Sequence, residues 1–206
     1  MVNRAVVQEY QSPIVEQAIA VAERGGIESV TAHAVAAAAG VSEQTVRNQF
    51  PTDDSLVAAI SAALAAQLTV ALQQTFFDAL GATDVTGLRG LRILLHSSLS
   101  GFWPVVEAAP ERRMLTFELT SYGLRHTDSV VAREQYQGLD DYAVVFLEEC
   151  ARRTGTTWLE PVGAVARLSM AMLDGLVLRW LVDRRSEAML AQLDDVAAII
   201  ASKATE

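Results

Sequence analysis

One cysteine and one lysine, Cys150 and Lys203, stand among 206 residues. A lone cysteine makes no internal disulfide, so a packed core has to hold the fold, and the chain suits a reducing compartment. Cations of any kind are scarce: 16 Lys and Arg face 25 Asp and Glu, for a formal charge of −9. That is the wrong overall sign for coating nucleic acid, since neutralising phosphates takes Lys and Arg. The N-terminus has no apolar core or cleavage signal of a secretory peptide. Apolar stretches at 58–66 and 164–182 are broken by or border on Ser61, Gln67, Arg167, Asp174 and Arg179, so a membrane span is not expected. A cytoplasmic protein with no membrane partner is the expectation.

Catalytic signatures are thin as well. There is no Gly-rich phosphate loop and no serine nucleophile elbow. His33, His96 and His126 lie far apart, none at helical ligand spacing from a Cys or a carboxylate, although Arg125-His126-Thr127-Asp128 reads as a turn. The acid pairs Asp53-Asp54, Asp140-Asp141 and Asp194-Asp195 are adjacent, which on a helix splays the two side chains about 100° apart. Cys150 follows Glu148-Glu149, whose charge opposes a thiolate, and reads as a half-buried, unreactive thiol. No metal, no cofactor and no catalytic residue are expected.

What the chain has in quantity is apolar side chain, 51% of residues, enough for a sizeable core. No period-2 alternation of β-branched residues marks a strand, and an all-α fold follows. Ser12-Pro13 starts a helix: a side-chain oxygen to cap free amides, then a fixed φ where no amide is needed. Ile14, Val15, Ala18, Ile19, Val21 and Ala22 give it an apolar stripe, and Gly25-Gly26 ends it. Thr31 caps a short helix from Ala32 to Ala39, stopped by Gly40. Ser42 caps another through Gln49, and after Pro51 a long fourth helix starts at Thr52 or Asp53 and runs towards Leu80. Longer helical segments follow at roughly 87–108, 110–124, 128–154, 158–184 and 187–203.

The stretch from Thr31 to Leu56 carries the function. A cap, a helix of about eight residues, Gly40-Val41, a second cap and another short helix make a helix-turn-helix. Val35 and Ala36 face inward, Ala39 and Gly40 are small enough for close helix approach, Val41 plugs the turn and Val46 anchors the second helix. Ser42, Gln44, Thr45, Arg47, Asn48 and Gln49 remain as polar groups for a major groove, with Thr31 nearby. There Gln and Asn match adenine, Arg matches guanine, and Thr meets a thymine methyl or a phosphate.

In order, Ile19-Ala20, Gly25, Val30-Thr31, Val35-Ala36, Ala39-Gly40-Val41-Ser42, Thr45-Val46, Phe50-Pro51 and Leu56 resemble the TetR family of bacterial transcription regulators. The likeness covers about fifty N-terminal residues. It implies a three-helix DNA-binding head at 1–56 and a helical-bundle body at 57–206 for ligand binding and dimerisation. Leu173-Asp174-Gly175-Leu176 with Arg179-Trp180-Leu181 is similar to a late dimerisation helix of that family. Two positions depart from the pattern. Arg47 stands where the family usually has a phosphate-contacting Tyr, and Asp53 where it usually has a phosphate-contacting Lys. With Arg4, Arg24 and Arg47 against Glu9, Glu16, Glu23, Glu28, Glu43, Asp53 and Asp54, the first sixty residues sum to −4. Weak, salt-sensitive DNA binding is therefore expected, with a TetR-shaped binding module that touches no operator as the alternative.

For the body, aromatics and Met suggest an apolar ligand cavity, and Trp103, Phe117, Tyr122, Tyr142 and Met170 are its candidate lining. Small residues alternating with Leu168, Met172, Leu176 and Trp180 around Gly175, and a stripe including Leu193 and Val196 on the last helix, suggest a homodimer interface. The expected partners are a double-stranded, near-palindromic DNA operator, a small-molecule effector and a second copy of the chain. In that scheme the effector favours a spacing of the two heads that no longer fits two major grooves, and a repressor leaves its operator.

Overall fold

A computed structural model describes residues 12–81, 85–126 and 130–206. Arg4 and Glu9 of the head, and the turn expected at 127–128, lie outside the described residues. The described elements run α1 (Pro13–Gly25), a 3-10 turn (Ile27–Ser29), α2 (Ala32–Ala39), α3 (Glu43–Gln49), α4 (Asp53–Gly81), α5 (Gly87–Glu107), α6 (Pro110–His126), α7 (Val130–Thr154), β1 (Thr157–Trp158), α8 (Val162–Asp183), α9 (Ser186–Ala201) and β2 (Ala204–Thr205).

The chain divides into two compact units, residues 1–68 with 111–136, and residues 69–110 with 137–206. In the first, α1 starts where expected: the Ser12 hydroxyl accepts from the Ile14 amide at 3.3 Å. Its stripe of Ile14, Val15, Ala18, Ile19, Val21 and Ala22 is buried. These side chains share one core with Val35 and Ala36 of α2, Val46 of α3 and Leu56, Ile60 and Leu64 of α4. Leu115 and Leu119 of α6 complete that core, so helix α6, far along the chain, supports the head.

In the second unit, Leu91, Leu94 and Leu95 of α5 pack with Leu147 and Cys150 of α7, Val165 and Ala166 of α8, and Val196, Ala197 and Ile200 of α9. A neighbouring cluster joins Trp103 and Val106 to Trp180, Met189 and Leu193. The two indoles meet edge to face, centroids 4.9 Å apart. Trp180 Nε1 donates to Ser186 Oγ at 3.1 Å, and the Arg184 guanidinium lies 4.6 Å from the Trp180 ring centroid.

Two sequence expectations give way here. β1 and β2 pair antiparallel, Thr157 with Thr205 and Trp158 with Ala204. Two residues per strand leave no alternation to detect, and the partners are distant in sequence. Helix α8 begins at Val162 rather than 158, because Pro161 occupies its N-cap, while the last helix stops at Ala201 and releases the chain into β2. A third concerns membranes. The window Asp53–Phe76 in α4 has a mean hydropathy of 1.9 and is, by length and composition, long and apolar enough to cross one. In the head, however, α4 buries Leu56, Ile60, Ala63 and Leu64 in a protein core, and its Ser61 and Gln67 side chains are hydrogen-bonded to Gln135 and Glu16.

Candidate functional site: a polar helix face and an apolar cavity

Local chemistry positions the polar helix. Thr31 Oγ1 accepts from the Ala34 amide at 3.1 Å and starts α2. Gly40 ends it with a left-handed backbone (φ 66°), and the Val41 amide closes the turn on the Ala36 carbonyl at 3.1 Å. Ser42 Oγ accepts from the Thr45 amide at 3.1 Å and starts α3. Val46 is fully buried and fastens α3 to the core below. Two details differ from expectation. Val41 is 38% exposed and plugs nothing. A Cβ built on Gly40 would meet no atom within 4 Å, so glycine serves the backbone angle there and not close helix approach. Gly40→Ala should therefore lower stability by about 1 kcal/mol through the left-handed backbone alone, read by thermal or urea unfolding.

With Val46 turned in, Ser42, Gln44, Asn48 and Gln49 are exposed and Thr45 and Arg47 half-buried. Gln44 Nε2 donates to Asn48 Oδ1 at 2.8 Å, one helical turn apart. Ser42 and Thr45 hydroxyls share a hydrogen bond at 2.8 Å. This pairing pre-orders the side-chain amides and hydroxyls of the outward face.

Arg47 is not an unencumbered cation. Its Nη1 donates to Asp53 Oδ1 at 3.2 Å, and its Nε lies 3.5 Å from Glu43. Asp53 Oδ1 also accepts from the Ala32 amide at 3.4 Å, so this carboxylate ties the start of α2, the end of α3 and the start of α4 together. His33 Nδ1 lies 3.5 Å from the same Glu43. Arg47 and Asp53, six positions apart in sequence, form one ion pair in the fold.

The cavity lies wholly in the second unit. It is lined by Leu72 and Phe76 of α4, Leu95, Ser98, Leu99 and Phe102 of α5, Tyr142, Ala143, Phe146 and Leu147 of α7, Ser169, Met170 and Leu173 of α8, and Ile200 of α9. The centre of a water-sized sphere can occupy about 70 Å³ of it. Phe76 and Phe146 meet edge to face at 4.5 Å. Of the five candidate residues, Tyr142 and Met170 are among its lining. Three other candidates do not. Trp103 is taken up by Trp180 in the adjoining cluster. Phe117 is half-buried on α6 in the other unit. Tyr122 packs against the head core, donates its hydroxyl to Asp54 and stacks on His126 at 4.4 Å. The Asp54 hydrogen bond, with burial, raises the Tyr122 pKa to about 12, so its proton stays on. Aromatic content alone did not separate a core-facing ring from a cavity-facing one. The missed Phe76, Phe102 and Phe146 face the gap because of helix phase, which only packing settles.

The proposed interface residues also divide. Trp180, Leu193 and Val196 are buried inside the chain itself and have nothing left to give a partner. The reason is that α9 packs along α5 with the stripe expected to face a second copy. Met172 and Leu176 are partly buried against the same cores. Leu168 and Gly175 remain outward, and Ala164, Ala171, Leu178 and Val182 continue their row along α8 at helical spacing.

Of the enzymatic possibilities, Ser100, His96 and Asp194 fall in the order of a hydrolytic triad, with Ser100 Oγ 3.5 Å from His96 Nε2 and His96 Nδ1 3.3 Å from Asp194. The second contact is not aligned as a hydrogen bond. Both Ser100 and His96 sit mid-helix, where backbone amides are used within the helix and offer no oxyanion hole. Cys150 is fully buried rather than half-buried, and burial pushes its thiol pKa up, so it is a poor nucleophile.

Residues 14–60 match the family model of the bacterial regulatory proteins, tetR family. No curated protein matches the chain. Among solved structures, a transcriptional regulator from Rhodococcus sp. Rha1 superposes with a TM-score of 0.70 at 20% identity, over 93% of this chain and 96% of that one. FadR from Bacillus subtilis, a transcriptional regulator in complex with stearoyl-CoA, gives 0.67 at 14% identity, over 93% and 97%. The multidrug binding protein EbrR, complexed with imidazole, gives 0.57 at 21%, over 89% and 92%. At such identities the likeness speaks for the fold.

Proposed function

We propose, from the match of residues 14–60 to the family model of the bacterial regulatory proteins, tetR family, that the chain is a ligand-responsive, DNA-binding transcription regulator acting as a homodimer, a repressor that its effector releases. The observation that carries this reading is the head itself: α3 is anchored by buried Val46 and turns Ser42, Gln44, Thr45, Asn48 and Gln49 outward. In the same reading residues 1–56 read DNA and 57–206 sense and dimerise, in the cytoplasm and away from membranes.

The second copy would dock on the outer row of α8. Leu168, Leu178 and Val182 are 39%, 50% and 76% exposed there, with Ala164, Ala171 and Gly175 between them. Large apolar side chains beside small ones let two such helices approach closely. The effector would occupy the cavity in the second unit. Helix α4 carries both head-core residues such as Ile60 and cavity residues such as Phe76, so a ligand that favours one placement of α4 would bias the head.

DNase footprinting of the DNA upstream of the protein's own gene tests the reading. Two protected half-sites about one duplex turn apart are expected. The double substitution Gln44→Ala with Asn48→Ala should weaken that footprint by 10-fold or more, since a bidentate amide-to-adenine contact is worth about 1–3 kcal/mol. Absence of protection at low salt would favour the second reading, a binding module of the same shape with no operator. One observation favours it: Glu43 and Asp53 already occupy Arg47.

A further inference from the structure

Carbon and sulfur make up almost the whole inner surface of the cavity. Among the described residues, no Asp, Glu, Lys, Arg or His lines it. An ion placed there would be desolvated without a partner. Three hydroxyl-bearing residues remain, and none offers a ligand a free proton. Ser98 Oγ donates to the Leu94 carbonyl at 2.8 Å and Ser169 Oγ to the Val165 carbonyl at 2.7 Å, each one turn back on its own helix. The Tyr142 oxygen has almost no accessible surface, so Tyr142 gives the cavity its ring and not its hydroxyl.

The same lining keeps water out. By volume a water would fit, since its centre could occupy about 70 Å³ and roughly 10–15 Å³ is enough. A buried water also needs about two to four polar partners, which this wall does not supply. Apolar atoms would suit the space, because the wall regains dispersion contacts that a void forfeits. Phe76 and Phe146, edge to face at 4.5 Å, present ring surface, and Met170 adds a polarisable thioether. The volume lies well below the roughly 300 Å³ at which pockets for drug-sized ligands begin, so the occupant is small.

On the reading that this cavity is the effector site, we propose that its ligand is a small hydrocarbon, such as an arene or a short alkene, with neither charge nor hydrogen-bonding group. Selectivity comes from exclusion: a polar group on the ligand leaves water and finds no partner.

Toluene, benzaldehyde and benzoate share one ring and one substituent, so calorimetric titration of the full chain with the three reads polarity at nearly constant shape. Toluene should bind with release of heat, as apolar ligands entering a preformed, poorly hydrated pocket often do. Benzaldehyde should bind about ten-fold more weakly, because its carbonyl finds no free donor, and benzoate not measurably. Toluene should also raise the melting temperature. Ala143→Leu, which enlarges a side chain on the cavity wall, should abolish both the heat and the thermal shift. Leu99→Phe, on the same wall, carries that test if Ala143→Leu does not fold. No binding of toluene, benzaldehyde or benzoate binding as tightly as toluene, or full toluene affinity in a folded, filled variant would each overturn the proposal. A gel shift run alongside separates ligand class from effector role. Toluene that binds in the cavity but leaves a DNA complex intact supports the ligand class and counts against effector-controlled release.

Discussion

Asp53→Lys is expected to tighten DNA binding about ten-fold near 0.1 M salt and to steepen its salt dependence. The parent carboxylate neutralises the one cation of the outward helix, with Asp53 Oδ1 3.2 Å from Arg47 Nη1. Lysine changes the local charge by two units and leaves Arg47 with Glu43, 3.5 Å away, as its remaining acidic partner. If both cations then reach phosphates, the slope of log K against log salt should become more negative by about 1–2, at roughly 0.9 per phosphate. Fluorescence anisotropy with the footprinted duplex at several salt concentrations measures it. The substitution also removes the acceptor for the Ala32 amide, a loss of about 1 kcal/mol to be checked by thermal unfolding. Asp53→Asn separates the contributions, since it removes the charge and keeps an acceptor. An unchanged affinity and slope in Asp53→Lys would mean that the start of α4 does not approach the duplex. DNA binding that appears only in the variant would mean that the parent head is held silent by its own acids.

The larger loss should come from the opposite end of the chain. Leu168→Glu with Leu178→Glu places two carboxylates on the exposed row of α8. Were that row buried against its copy, four unpaired charges would have to be desolvated, and a stable dimer would not survive. Monomers by light scattering are expected, with binding to a two-half-site duplex reduced at least 100-fold because the second head no longer adds to the first. Folding of the monomer should be little changed, since neither side chain is buried in the parent. A dimer that persists would move the interface elsewhere, with the exposed Leu190 and Ile199 of α9 the next surface to test.

Much of the head was legible from residues alone because its devices act over three or four positions. Thr31 with the Ala34 amide, Ser42 with the Thr45 amide and Gly40 at a left-handed stop are contacts within one turn. They follow from capping chemistry without knowledge of the rest of the chain. Val46 was legible too, being the apolar residue in an otherwise polar seven-residue helix. By contrast, the stripe on α9 was visible but its destination was not. Leu193 and Val196 could equally fill a partner's groove or this chain's own, and α5 claimed them. Aromatic rings misled for the same reason: Trp103 and Tyr122 satisfy core and head contacts, and Phe76 and Phe146 do the lining.

By itself, then, the sequence determined the all-helical class, the helix-turn-helix and which face of α3 is polar, since periodicity and caps are local properties of the chain. Tertiary packing alone decided that Arg47 and Asp53 form one pair, that α8 rather than α9 keeps an open apolar row, and that Tyr142 and Met170, not Trp103 or Tyr122, line the cavity. Each of those depends on the rotation and approach of helices distant in sequence, which composition does not encode one residue at a time.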